Sequence, residues 1–400
     1  MASAPVVALE IGTSKTIALV GEMREGGGIL ITGMGVHPSI GVRKAEVADM
    51  ENAMICVRAV LEAAEESGRV SIREVHLALS GCAMQSTVNR GAMPMTHRGG
   101  EVTGDDVEQV MEIARALNLP PDREVLHTIC RHFSVDDHEH VLRPEGMEGA
   151  RIAVDMLILH LVRSRLRNAV KVVESASVEV NDIAFGGLCS ALAVLTPEQR
   201  KSGVIVIDLG GGTTDYVAYA GNVVAAAGAP AVGGDHVSND IALGFNIPLS
   251  QAEKLKHESA SAVVGEKDRS QKIAVPPDVG FSGRSIDLAS LNTVVNARMD
   301  EIFGMIRKRL DEHDVMHRAG AGVVLTGGGA HMRGVTELAE EVFGLPCSVG
   351  VPKNVSGLAT ATQGPEYAAA VGMVKYGFQH SSGATPSAGL GKWFAGLFGR

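Results

Sequence analysis

Two stretches of this chain, about 200 positions apart, carry the same punctuation. In VVALEIGTSKT an apolar run ends on an acid, Glu10, and turns through small and hydroxyl residues; in VIVIDLGGGTTD another ends on Asp208 and turns through three glycines. Each restarts at once as a second apolar run, TIALVGEM and YVAYAG. Short apolar runs bounded by Gly and Ser/Thr turns read as buried strands joined by tight hairpins. A repeat this long is no solenoid, whose period is about 20 to 50 residues. It implies duplication of a whole α/β lobe.

Composition narrows the class. Glycine supplies 48 of 400 residues, against an average of about 7%, so the backbone must approach something closely in several places. With 45% hydrophobic and 20% charged residues the chain is expected to be globular. A formal charge of -10 repels phosphate backbones and argues against nucleic acid as a partner. Five cysteines (Cys56, Cys82, Cys130, Cys189, Cys347) are an odd set without a C-x-x-C pair, which favours a reducing cytoplasm. The opening MASAPVVALE has no basic run and meets Glu10 before any long apolar stretch, so no export signal is expected. The uncharged run from Tyr216 to Gly234 is broken by Asn222, Pro230 and glycines, unlike a membrane span.

The patterns between the repeats predict the organisation. Residues 1–82 with 164–197 form the first lobe, and 83–163 an inserted small α/β subdomain of strand, helix, strand, strand. Residues 198–230 with 312–379 form the second lobe, and 231–311 its subdomain, mainly helical with a short hairpin around 270–285 and a long helix after it. Within 312–379 a strand GVVLTGG, a helix near Val335–Phe343, a strand CSVGV and a helix near Pro365–Phe378 complete the second lobe. Residues 380–388, rich in Ser, Gly, Ala and Pro, read as a linker.

No Walker-type G-x-x-x-x-G-K-[ST] and no G-x-G-x-x-G after a strand is present, so any phosphate chemistry falls to the two hairpin turns. Gly12, Thr13, Ser14 and Lys15 in the first, and Gly210, Gly211, Gly212, Thr213 and Thr214 in the second, offer backbone N–H groups, hydroxyls and one cation to a phosphate chain. Glu10 and Asp208 would hold a hydrated magnesium, which keeps most of its waters and takes few carboxylates. Either turn alone is as well read as an empty hairpin; two in matching lobes point to a clamp. Gly327-Gly328-Gly329, after a strand and before a helix, suits a flat adenine ring. Gly233-Gly234 opens another helix, and Glu253 and Lys256, three apart on the next helix, share a face that could bracket a ribose and base or form a surface ion pair. His127, His132, His138 and His140 crowd one region of the insert, which a solvated charged loop explains better than a metal site.

In GLGKWFAGLFGR, Leu390, Trp393, Phe394, Leu397 and Phe398 fall on one helical face, with Lys392 and Arg400 the only charges. Residues 389–400 therefore read as an amphipathic helix for a membrane interface, with docking on the protein's own core as the alternative.

The order and spacing of the two phosphate turns, the glycine-rich connecting helix and the TGGG turn resemble the actin, Hsp70 and hexokinase ATPase superfamily. The insert, the stretch AVDMLILHLVRSRLRNAVKVVESASVEVNDI and the tail after a linker resemble the FtsA family of bacterial cell-division proteins. The resemblance implies a two-lobed actin-like ATPase fold that binds ATP and Mg²⁺ in its cleft, with Asp208 and Thr213 at the γ-phosphate. It implies head-to-tail self-polymers, capture of the C-terminal peptide of the tubulin-like FtsZ by the subdomain at 231–311, and contact with other division proteins. It also implies peripheral attachment to the cytoplasmic face of the cell membrane at the division site. Glu10 stands where the superfamily has aspartate, and no lysine matches the one that Hsp70 proteins place near the γ-phosphate, which implies slow hydrolysis. The competing readings are a sugar-kinase-type phosphotransferase and an actin-like pilus-assembly protein.

Overall fold

The computed structural model describes residues 4–24, 28–81, 83–95, 100–278 and 280–381. Two sheets are built on one plan. In the first, strand Val6–Ile11 pairs antiparallel with Lys15–Arg24 through the turn at 12–14, and parallel with Glu74–Leu79, which in turn carries Glu179–Phe185. In the second, Val204–Leu209 pairs antiparallel with Thr214–Ala220 and parallel with Val323–Thr326. Both first strands are flanked by their own hairpin partner and a parallel neighbour, so almost every side chain on them is buried. That is why they read as continuous apolar runs rather than alternating ones.

Helix Met50–Gly68 starts where the Asp49 side chain accepts from the Asn52 N–H, and buries Ala53, Val57, Val60, Leu61 and Ala64. It lies against strand Gly28–Pro38, where glycine is obligatory: a Cβ at Gly35 would stand 1.9 Å from the Val60 carbonyl oxygen.

The insert is a four-stranded sheet in the order Gln85–Pro94, Arg151–Val162, Arg123–Val135, His138–Val141, covered by helix Gly104–Arg115. Thr103 and Asp106 close a reciprocal capping box at that helix's start. Phe133, Ile152, Val154, Met156 and Ile158 form its own core with Val110 and Ala114. The insert touches the second lobe where Ser86 Oγ donates to the Ala227 carbonyl at 2.6 Å.

The region after Gly233 holds helices Gly234–Phe245 and Leu249–Glu258, the hairpin Lys272–Val275/Arg284–Asp287 and helix Leu288–Glu312. Asp240 pairs with Arg298 across these helices, with Arg298 Nη2 and Asp240 Oδ1 3.0 Å apart.

The stretch expected to complete the second lobe is divided between the two. Val323–Thr326, Val335–Phe343 and Cys347–Val349 do belong to the second sheet and its cover. Val355–Gly357, however, pairs parallel with Gly28–Pro38 and becomes the edge of the first sheet. Helix Ala368–Ser381, which continues past the linker start expected at 380, buries Ala370, Val371, Met373 and Val374 in the first lobe's core. Apolar periodicity shows that a helix must be covered but not which sheet covers it. Complementary shape decides that here, since only glycine at 372 lets the helix reach the chain at Cys189. Tyr376 adds a donor to Asp182 at 2.7 Å, and Lys375 Nζ donates to the carbonyls of Leu192, Ala193 and Lys353.

No described helix is long and apolar enough to cross a membrane. Leu390, Trp393, Phe394, Leu397 and Phe398 lie outside the described residues.

Candidate functional site

The two hairpin turns meet face to face. A Cβ at Gly211 would lie 3.3 Å from Ser14 Cβ, and one at Gly212 only 2.5 Å from Thr13 Oγ1. Between them opens a cavity of about 390 Å³. Each turn is closed by a backbone bond of the same form, Gly12 N–H to the Lys15 carbonyl at 3.1 Å and Gly210 N–H to the Thr213 carbonyl at 3.0 Å. Gly233 and Gly234 dock on the second turn: Gly234 N–H donates to the Gly210 carbonyl at 3.0 Å and Asp235 N–H to that of Gly211 at 2.8 Å. A Cβ at Gly233 would stand 2.5 Å from the Gly210 oxygen, so only glycine permits that approach.

Of the residues expected to bind a cofactor, Gly12, Thr13, Ser14, Lys15, Gly210, Gly211, Thr213, Gly233, Gly234, Glu253, Lys256, Gly327, Gly328 and Gly329 line this one cavity with Glu10 and Asp208. Two do not. The Thr214 hydroxyl is fully buried and donates to the Val232 carbonyl at 2.8 Å, because Thr214 begins a strand whose every residue is buried. Gly212 packs on Thr13 and on Lys44, with a Cβ there 2.8 Å from Lys44 Cα, so it joins the turns rather than facing the cavity. Thr13 itself accepts from the Ala45 N–H at 2.7 Å.

Glu253 and Lys256 form an ion pair at 2.8 Å, and Lys256 also donates to the Gly234 carbonyl at 3.1 Å, tying its helix to the helix start that docks on the second turn. Ser238 donates to the same carboxylate. On the opposite wall Gly327, at φ 80, packs against Asp208 and Leu209, while a Cβ at Gly328 would meet nothing within 4 Å, leaving bare backbone open to the cavity.

Three buried carboxylates stand behind the turns. Burial, then the charge of Asp208, pushes Glu10 up to about 8. Burial pushes Asp208 up to about 6 against a hydrogen bond from Ser190. Burial and Asp208 hold Asp215 well above the usual carboxylate range, although Ser80 donates to it. Glu10 Oε2 and Asp215 Oδ1 have no partner among the described residues. Buried acids crowded together with unmet oxygens call for a cation. No three His, Cys, Asp or Glu side chains among the described residues are placed to ligate one ion directly. The donor set therefore fits a hard divalent ion that keeps its waters, as magnesium does. Lys15, whose charge burial disfavours, lies with Nζ 4.2 Å over the Tyr367 ring and is favoured by Glu366. Glu366 is itself bonded to His331 at 2.7 Å.

Ser80, Ser190, Asp215 and Glu366 are site residues that the sequence reading does not include. A signal existed for Asp215 alone. Residues 208 and 215 bracket a symmetric hairpin and pair directly across it, so both carboxylates share one face. The histidines of the insert do not converge on a point. His127 is buried, accepts from the Phe185 N–H at 3.0 Å, and burial lowers it to about 4. His132 pairs with Asp155 at 3.1 Å, and His138 is exposed.

The family model described as "Cell division protein FtsA" matches residues 205–372, and that of the "SHS2 domain inserted in FTSA" matches 81–160. The chain is 33% identical over 377 residues to "Cell division protein FtsA" of Pseudomonas aeruginosa, covering 94% of this chain and 90% of that one. It is 33% identical over 405 residues to the protein of the same name from Escherichia coli strain K12, covering 98% and 96%. The chain belongs to the FtsA family. Among solved structures it is similar to the "PilM-PilN type IV pilus biogenesis complex" (TM-score 0.64, 18% identity, 93% of this chain and 98% of that one). It is also similar to MreB5 of Spiroplasma citri bound to ADP (TM-score 0.52, 16% identity, 95% and 97%). At such identity the likeness shows the fold alone, a two-lobed actin-like ATPase architecture, here carrying the FtsA-specific insert of a cell-division protein.

Proposed function

We propose that the cleft binds ATP with hydrated magnesium and that nucleotide acts on the chain mainly as a conformational ligand. The observation that carries this reading is the meeting of the two turns over three crowded carboxylates, two of which, Glu10 and Asp215, keep a sealed oxygen without a partner among the described residues. The amides of Gly12, Thr13, Ser14, Gly210 and Gly211 and the ammonium of Lys15 hold the phosphates. Glu253 and Lys256 flank the ribose, and Gly327–Gly329 carry the adenine on open backbone. Bound magnesium would neutralise phosphate charge, with Glu10 and Asp208 orienting its waters. Asp208 and Thr213 stand at the γ-phosphate. Of the lysines and arginines that line the cleft among the described residues, Lys256 is paired with Glu253 and Arg333 donates to the Glu258 carbonyl, which leaves Lys15 for the phosphates and makes hydrolysis slow, because charge stabilisation is the main contribution to phosphoryl transfer. The MreB5 neighbour binds ADP, which is consistent with this use of the fold.

On the same reading the chain polymerises head to tail, holds the C-terminal peptide of FtsZ on the subdomain at 231–311, and recruits other division proteins. Residues 389–400 attach it peripherally to anionic lipid on the cytoplasmic face of the cell membrane at the division site. Calorimetric titration with ATP in magnesium tests the cleft: wild type binds and Asp208→Ala binds weakly with its fold intact. Equal affinity in the two proteins would overturn the assignment.

A further inference from the structure

A second cavity, of about 170 Å³, lies away from the nucleotide cleft, where the insert meets the second lobe. One wall is the insert strand Arg123–Val135 with its neighbour His138–Val141, which supply Arg131, His132, His140 and Leu142. The other is the hairpin turn between Thr214–Ala220 and Val223–Gly228, with Arg318 from the short 3-10 helix Met316–Arg318.

Two guanidiniums from different lobes therefore face one small space. Neither Arg131 nor Arg318 has a side-chain hydrogen bond or an ion pair among the described residues, and Arg131 Nε is sealed from solvent without a partner. Burial disfavours the charge of Arg131, Asp155 favours it, and the nearby Arg318 disfavours it again. The acid that faces them is Asp155. Its carboxylate is already shared by His132 Nε2 at 3.1 Å and Arg90 Nη1 at 3.7 Å, and it makes no ion pair with Arg131. His140 stacks against His132 with ring centroids 4.5 Å apart, and His313 lies close enough for Arg131 to disfavour its protonation. Arg318 is exposed and Arg131 half-buried with its Nε sealed, and a sealed donor without a partner is costly unless an acceptor joins it. Planar guanidinium forks match the oxygens of phosphate, two donors at a time.

We propose that this cavity is a binding site for a small tetrahedral oxyanion, free phosphate or the terminal group of a phosphomonoester, held between Arg131 of the insert and Arg318 of the second lobe. The ligand bridges two parts of the molecule and so fixes the insert on the lobe. Leu142 and Val223 also line the cavity and offer apolar surface to an organic body beside the phosphoryl group.

The test is titration of the full chain with inorganic phosphate at constant ionic strength, by calorimetry, with the nucleotide cleft filled by a non-hydrolysable ATP analogue and magnesium. A parallel titration of Asp208→Ala keeps the result separate from the nucleotide reading, because a signal from this cavity survives there. The expected result is one site in both proteins, weakened about tenfold or more by Arg131→Gln and by Arg318→Gln, and unchanged by the distant Arg269→Gln. Arg318→Gln tests the site even where Arg131→Gln fails to fold. Phenyl phosphate in place of phosphate distinguishes the sources: tighter binding assigns a phosphomonoester, weaker binding the free ion. No phosphate binding by wild type, or wild-type affinity in the two arginine variants, overturns the proposal.

Discussion

Gly372 lies directly on the main chain of Cys189: a methyl group at 372 would stand 1.7 Å from the Cys189 carbonyl oxygen and 2.3 Å from its carbon. This contact seats the last described helix on the first lobe, and backbone on one side leaves nothing flexible to yield. Gly372→Ala should therefore destabilise the protein by about 2 to 4 kcal/mol, at or beyond the usual cost of overpacking. Urea denaturation followed by circular dichroism measures it. An unchanged midpoint would show that the helix can shift without loss.

The raised carboxyl of Glu10 gives a pH dependence whose sign can be worked out. Its folded-state value, about 8, lies above its ordinary 4.5, so the folded chain binds more protons than the unfolded chain between those values. Stability from this group is complete below the lower value and is lost as pH rises through the upper one. Melting temperature without ligand should thus fall between about pH 5 and 8, and Glu10→Gln should flatten that fall.

Metal binding must then expel the proton. At pH 7 magnesium-ATP binding should release about one proton, because a cation favours the ionised carboxylate. Calorimetry in buffers of different ionisation enthalpy reads this number, and Glu10→Gln should reduce it. A release that is the same in wild type and Glu10→Gln would remove Glu10 from the metal site.

Lys15 stands between Glu366 and the cleft, over the Tyr367 ring. Lys15→Met should weaken ATP binding about tenfold or more through loss of a charge-assisted phosphate contact, with little change in melting temperature without nucleotide. Wild-type turnover should stay slow. Brisk phosphate release on adding small hydroxylated substrates would favour phosphotransfer instead.

The tail offers a direct reporter, since Trp393 is the chain's one tryptophan. Its emission should shift to the blue on adding anionic liposomes, and the shift should be abolished by Trp393→Glu. Five apolar side chains on the expected short helix should give weak, reversible binding, which the proposed polymer would strengthen by presenting many tails at high effective concentration. Emission already blue in lipid-free buffer and unmoved by liposomes would mean docking on the protein.

The turns at 12–15 and 210–213 were legible because their causes are local. A strand must stop, backbone must crowd, and glycine with hydroxyl residues is what such a turn requires. The capped helix Gly104–Arg115 and the strands of the insert are short-range statements too, written in periods of 3.6 and 2. The sequence by itself thus determined two like lobes, an insert and a pair of glycine-lined turns at matching places.

Only the tertiary structure decided where long-range partners fall. It turned the Thr214 hydroxyl onto Val232, brought Ser80 and Glu366 to the cleft and Ser190 to Asp208 from distant segments, and set Arg131 opposite Arg318. It also returned Val355–Gly357 and Ala368–Ser381 to the first lobe. The reason is that apolar pattern fixes which side of an element is buried, whereas the surface that buries it is chosen by shape, and at Gly372 that choice rests on one missing methyl group against a carbonyl oxygen.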